Sequence, residues 1–279
     1  MAKHIVLPDM QIRPGVPLEH IDWIAQYIVD KKPDVLVIIG DWADMPSLSS
    51  YDVGTKSFEG RKYRDDILAA NDALQRLMAP IEQELERIDR RHLKTWKLRK
   101  IVTLGNHEYR IERAVETDRK LEGLISTKDL FFEQFGFEVY PFLQPVVVDG
   151  VVYCHYFCSG VMGRPITTAK ALLTKLHQSC FAGHQQDRDI AYGKKADGTR
   201  ITGIICGACY LHDENYLNPQ TNNVWRGLYQ LNEVDHGQLD EMPLSLRYLR
   251  ERYERRSRQG LGRLLPGTRP SGESGENQS

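Results

Sequence analysis

Three short runs rich in isoleucine and valine, Lys3 to Leu7, Asp34 to Ile39 and Lys100 to Leu104, are each followed two residues later by a polar group: Asp9, Asp41 and Asn106. Between the first two runs, Leu18, Ile21, Ile24, Ala25 and Ile28 recur at helical spacing. Strand, helix and strand in that order make a βαβ unit with parallel strands. In sheets of this kind ligands gather beyond the carboxyl ends of the strands, so Asp9 and Asp41 are expected on one edge. Gly105-Asn-His-Glu108, at the end of the third run, repeats the geometry.

The rest of the chain supplies helices and then hairpins. Arg61 to Leu93 reads as a long amphipathic helix with Ile67, Leu74, Ile81 and Ile88 spaced by seven and Pro80 as a kink. Val146 to Val148 and Val151 to His155 flank the hairpin signal Asp149-Gly150. Thr167 to His177 reads as a helix, and Cys180 to Ala182 as a strand leading into Gly183-His184. Beyond it, Arg188 to Tyr192, Arg200 to Cys206, Trp225 to Glu233 and Leu244 to Leu249 read as antiparallel strands. A parallel first half and a hairpin-rich second half predict an α/β fold with two packed mixed β-sheets flanked by helices. The expected organisation is one domain over residues 1–265, with a helical insertion at about 45–98, and a disordered Pro/Gly/Ser-rich tail at 266–279.

Composition narrows the class. At 279 residues and 41% hydrophobic content the chain can bury a sizeable core. No apolar stretch approaches the roughly 20 residues needed to cross a bilayer. The first strand begins at the N-terminus without a signal peptide, so a cytoplasmic location and no membrane partner are expected. Five cysteines, an odd count, argue for reduced thiols, and Cys206-Gly-Ala-Cys209 stands without the second ligand pair that a zinc site needs. The net charge of −1 hides seven arginines against two glutamates at 247–263, which leaves the body acidic and argues against broad electrostatic capture of nucleic acid. That segment reads as a solvated terminal helix.

Five segments then fall in order over residues 9 to 186: Asp9-Met-Gln11, Gly40-Asp41-Trp-Ala-Asp44, Gly105-Asn106-His107-Glu108, Cys154-His155-Tyr156 and Gly183-His184-Gln185-Gln186. They resemble the calcineurin-like metallophosphoesterases of phage and bacterial type, whose pattern is Asp-x-His, Gly-Asp-x-x-Asp, Gly-Asn-His-[Asp/Glu], His and Gly-His-x-His. The resemblance implies a four-layer α-β-β-α sandwich and a hydrolase acting on phosphoric ester bonds. It implies two divalent ions and attack by a metal-bridging hydroxide on a phosphodiester, in a nucleotide or nucleic acid. Carried over by position, Asp41 would bridge the ions, Asn106, His155 and His184 would complete one site, and Asp9, Gln11 and Gln186 the other. His107 would face the phosphate, oriented by Asp44.

The chain departs from the pattern at Gln11 and Gln186, which stand where the family has histidines, both on the same ion. That leaves an all-oxygen set, which favours harder ions: Mn²⁺ first, or Mg²⁺, with Ni²⁺, Fe²⁺ and Zn²⁺ as alternatives. Alternatively the two glutamines hydrogen-bond around a single-metal site. A phosphomonoesterase acting on phosphoprotein or small molecules, and a non-catalytic protein-binding scaffold, are the rival functions. Arg110, Arg113 and Arg164 are candidates for holding phosphate oxygens, each against a reading as a solvated arginine. Glu108 reads as an ordinary helix N-terminal acid more than as a support for the ligands. His4, His20, His92, His177, His212 and His236 read as surface or core residues. The polar loop Asp213 to Asn223 is a candidate for the mouth of the site.

Restoring both imidazoles, with Gln11→His and Gln186→His together, is expected to shift metal preference towards softer ions. Calorimetric titration with Zn²⁺ and Mn²⁺ checks it; an unchanged affinity ratio would show that neither side chain is a ligand.

Overall fold

The computed structural model describes residues 1–50, 54, 58–92, 95–214 and 223–262, with residues 255–262 described by their backbone alone. The tail at 266–279 and most of the loop expected at the mouth of the site lie outside the described residues.

The first run forms β1 (Ala2–Leu7), followed by α1 (Glu19–Lys31) and β2 (Val35–Ile38). Next come α2 (Tyr63–Arg90), β3 (Arg99–Thr103), α3 (Tyr109–Thr117) and β4 (Glu138–Tyr140). β1, β2, β3 and β4 pair in parallel in that order. Then β5 (Val146–Val148), β6 (Val151–Cys154), the small hairpin β7 (Cys158–Ser159) and β8 (Arg164–Pro165), α4 (Ala169–Leu176) and β9 (Cys180–Ala182) follow. The chain continues through β10 (Arg188–Lys194), β11 (Arg200–Cys206), β12 (Gly227–Asp235), β13 (Gln238–Ser245) and α5 (Leu246–Gly262).

Two large sheets result, ordered β13-β12-β1-β2-β3-β4 and β10-β11-β9-β6-β5. Alternation along the strands explains the layers. In β1 and β2, Ile5, Leu7, Leu36 and Ile38 pack with the helices, including α1 and α2. Val6, Val35, Val37 and Ile39 face the other way, meeting Tyr153, Phe181 and Ile204 of the second sheet. Val152, Cys154, Cys180 and Ala182 turn outward onto Leu172 and Leu173 of α4. Helices, sheet, sheet and helix are thus stacked, and strands buried on both faces read as continuous apolar runs. No described helix is long and apolar enough to cross a membrane.

The antiparallel β12 pairs with β1 and carries β13 to the edge of the first sheet, which makes that sheet mixed as expected. One expectation changes. The strand expected at Leu244 to Leu249 is split, because Leu246, Leu249 and Tyr253, at helical spacing, are buried with the helix-side core. Tyr253 also donates to Asp30 of α1 at 2.9 Å, so the start of the Arg-rich segment is a docked helix. All five cysteines are free thiols, with Cys206 and Cys209 fully buried. Helix α2 runs on past Pro80 to Arg90.

The turn between β5 and β6 has positive φ at both Asp149 (48°) and Gly150 (84°), as a two-residue hairpin requires. It abuts the β12–β13 turn, where the Gly237 amide donates to the Asp149 carbonyl at 2.8 Å. A Cβ on Gly150 would lie 2.3 Å from the Gly237 nitrogen, whereas one on Gly198, with a similar φ of +86°, would meet nothing within 4 Å. Gly198→Ala is therefore expected to cost only left-handed strain, about 1–2 kcal/mol, and Gly150→Ala distinctly more. Urea midpoints compare them; equal losses would show that the two turns do not bear on each other.

Candidate metal centre

The five motif loops leave the carboxyl ends of β1, β2, β3, β6 and β9 and meet where the sheets face one another. The meeting is tight. A Cβ on Gly105 would fall 2.1 Å from Asp41 Oδ1 and one on Gly183 2.4 Å from Asp9 Oδ1, so glycine is required at both places. Gln11, Asp41, Met45, His184 and Gln186 all have positive φ, between 48° and 70°. Each such residue costs on the order of 1 kcal/mol, so the contacts around them must hold these loops in place.

Asp41 is the hub. Its carbonyl accepts from the Met10 and Gln11 amides, both at 2.9 Å. Its carboxylate accepts from the His107 amide at 3.0 Å and from Gln11 Nε2 at 3.2 Å. His155 Nδ1 donates to the Ile39 carbonyl at 3.0 Å, which fixes the proton there and directs Nε2 at Asn106 Oδ1 (3.0 Å) and Asp41 Oδ2 (3.3 Å). Three electron-pair donors thus converge. Burial alone would lower the His155 pKa, but the Asp41 carboxylate outweighs it and pushes it up to about 9. A site that draws a proton so strongly suits a cation equally well.

His184 supplies a further nitrogen: ligand atoms of Asp41, His155 and His184 all lie within 4.8 Å of one another. Burial, followed by the neighbouring His155, lowers the His184 pKa to about 4, so it offers a lone pair at neutral pH. Asp9 is fully buried, accepts from the His184 amide at 3.1 Å, and has its pKa pushed up by burial. Gln11 is fully buried too, and its Oε1 has no hydrogen-bond partner among the described residues. A buried carbonyl on a side chain that also meets the Asp41 carboxylate is what a hard cation would satisfy. Gln186 Oε1 accepts from the buried Tyr210 hydroxyl at 2.9 Å. The donor set therefore fits a divalent ion of mixed oxygen and nitrogen preference at Asp41, His155 and His184.

Beside this cluster, His107 Nδ1 donates to Asp44, at 2.8 Å to both the carbonyl and the carboxylate, which leaves Nε2 facing Asp41 Oδ2 at 3.7 Å. Burial would lower the His107 pKa, yet Asp41 and the Asp44 hydrogen bond raise it above its ordinary value. Asp44 is held in turn by Arg13 Nη1 at 2.7 Å, and the same nitrogen reaches Glu214 Oε2 at 2.8 Å. Arg110 donates to the Asp44 carbonyl at 2.7 Å and approaches His107 Nε2 at 3.4 Å. It stands beside the His107 pair as a support. Arg113 is exposed with a contact at 3.4 Å to Ser50, and Arg164 is exposed on β8, with no hydrogen bond or ion pair to the ligand set among the described residues.

Of three supporting residues, the sequence favours a different role for Glu108 and points to no individual role for Arg13 or Glu214. Glu108 is no ordinary helix acid: fully buried, it accepts from the Gly105, Ala43 and Asp41 amides at 2.7, 2.9 and 3.1 Å, clamping two ligand loops together. Arg13 lies two positions beyond Gln11, a hint that would have sufficed to examine it. Glu214, which also accepts from His212 at 2.8 Å, carries no local signal.

No family model matches the chain, and no curated protein sequence does. Among solved structures, the crystal structure of Chaetomium thermophilum Vps29 is similar over 88% of this chain and 97% of that one, at 8% identity and a TM-score of 0.38.

Replacing Glu108 by Ala strands three buried amides, each worth about 1–3 kcal/mol when unsatisfied. We expect Glu108→Ala to lower the urea midpoint and to weaken Mn²⁺ binding measured by calorimetry; an affinity equal to wild type would show that the clamp does not position Asp41.

Proposed function

We propose that the chain is a metal-dependent phosphoesterase that hydrolyses a phosphodiester of nucleotide or nucleic-acid type with two divalent ions, Mn²⁺ the best fit. The observation that carries the reading is the convergence of Asp41, His155 and His184 donor atoms immediately beside the His107–Asp44 pair. The five-segment resemblance supports it from the sequence. Asp9, Gln11, Asp41 and Gln186 would hold one ion, and Asp41, Asn106, His155 and His184 the other. Bound there, such ions activate water as a nucleophile and neutralise charge on the phosphoryl oxygens.

The chain's own groups do the rest. In diester hydrolysis a P–O bond forms from water and the P–O bond to the leaving oxygen breaks, so that oxygen needs a proton. His107 Nε2 is the group placed to give it, because Nδ1 is committed to Asp44. Arg13 and Arg110 hold Asp44 from two sides, which keeps the imidazole from turning. Asn106 and His184 are half-exposed, so the centre is reachable from solvent.

Turnover of bis(p-nitrophenyl) phosphate and p-nitrophenyl phosphate with Mn²⁺, Mg²⁺, Ni²⁺ and Zn²⁺ tests the reading. Metal-dependent cleavage is expected, faster for the diester, lost in Asp41→Ala and lowered about a hundredfold or more in kcat by His107→Ala. Faster monoester cleavage would make the protein a phosphomonoesterase, and no turnover with any metal would leave the scaffold reading.

Arg13→Ala is expected to lower kcat by about tenfold, an effect within the range of mispositioned general acids. Steady-state kinetics at saturating substrate checks this; a kcat equal to wild type would remove Arg13 from the machinery.

A further inference from the structure

The aromatic residues of this chain fall into two kinds. Tyr153, Phe181 and Tyr229 are fully buried between the sheets and account for themselves as core. Tyr109, Phe142 and Tyr156 are only half-buried, and each sits close to a ligand loop: Tyr109 two residues after His107, Phe142 just beyond β4, and Tyr156 next to His155. They touch one another in a continuous strip. The ring centroids of Tyr109 and Phe142 are 5.0 Å apart and nearly parallel, at 26°. Phe142 meets Tyr156 at 5.4 Å, edge to face. Tyr156 meets the imidazole of His184 at 4.8 Å, and His155 at 5.8 Å. Neither the Tyr109 nor the Tyr156 hydroxyl has a hydrogen-bond partner among the described residues.

Resting on the phosphoesterase reading, we propose that this strip is a stacking platform for the unpaired bases of a single-stranded nucleic acid whose phosphodiester lies at the metal centre. The strip is neutral and π-rich, its successive rings set at 26°, 81° and 47° to one another, and it begins at the His184 ring. A ligand that carries a flat ring close to a phosphoryl group matches both halves at once. The strip passes through successive rings about 5 Å apart, farther than the one phenyl ring of a phosphotyrosine could cover, whereas each base of a single strand presents its own π face. Bases inside a duplex are stacked on one another and have no free face to offer. The chain's net charge of −1 fits this mode, since affinity then rests on local stacking and not on broad electrostatic capture.

Tyr156→Leu and Phe142→Leu keep apolar bulk and remove the ring, while Tyr156→Phe keeps the ring and controls for folding. The first measurement is binding of the full chain, with Mn²⁺ present, to a four-nucleotide thymidine strand and to an abasic strand with the same phosphates. Wild type and Tyr156→Phe are expected to prefer the thymidine strand about tenfold, the order that base stacking supplies, and both Leu variants to lose that preference. Equal affinity of wild type for the two strands overturns the platform, and so does a preference that survives both Leu variants.

The second measurement is the ratio of kcat/KM for thymidine 5′-(p-nitrophenyl phosphate) to that for methyl p-nitrophenyl phosphate, expected to fall about tenfold, through KM, in the Leu variants. A ratio equal to wild type overturns the platform while leaving the hydrolase reading intact. Absence of turnover of either ester sinks the hydrolase reading, and the binding preference then decides the platform alone.

Discussion

The Asp41 carboxylate can face two imidazoles only because its backbone is fastened from both sides. On one side its carbonyl receives the Met10 and Gln11 amides of the β1 loop, and on the other its own amide donates to Glu108 in the β3 loop. These bonds hold Asp41 at a φ of 48°, a conformation that a free aspartate would leave. The loops after β1, β2 and β3 are consequently tied together through Asp41. The rest of the centre is built onto them: His107 and Asp44 are bonded to these loops directly, and His155 reaches them through the Ile39 carbonyl.

What the sequence made legible follows from what is local. The parallel βαβ start, the burial of β2 on both faces and the gathering of ligands at strand ends can all be read from runs such as Val35-Leu-Val-Ile38 and the polar residue that follows them. The type of turn at Asp149-Gly150 could be read for the same reason. The return of β12 to pair with β1 could not, because antiparallel pairing across more than two hundred residues leaves no periodicity in either strand. Leu244 to Leu249 reads as a strand in the sequence, and the burial of Leu246, Leu249 and Tyr253 at helical spacing shows a helix from Leu246 instead.

The candidate site divides in the same way. Residues in the five short segments are recognisable because the chemistry of each side chain and its spacing go together. Those that hold the ligands are not, since their partners are set by the folded chain: Arg13 bonds Glu214, 201 residues away. Glu108 looked like an acid favoured by a helix dipole, and only burial against three amides reveals it as a clamp.

The two glutamines give the centre its asymmetry. Gln11 donates to Asp41 while its side-chain carbonyl has no partner among the described residues, and the carbonyl of Gln186 already accepts from Tyr210. On the imidazole side, ligand atoms of Asp41, His155 and His184 lie within 4.8 Å of one another. The central claim is that this cluster holds a divalent cation. Anomalous diffraction from crystals grown with Mn²⁺ tests it most directly: a strong peak in contact with Asp41, His155 and His184 is the result predicted, and a map with no peak there, or with manganese bound elsewhere only, would contradict it.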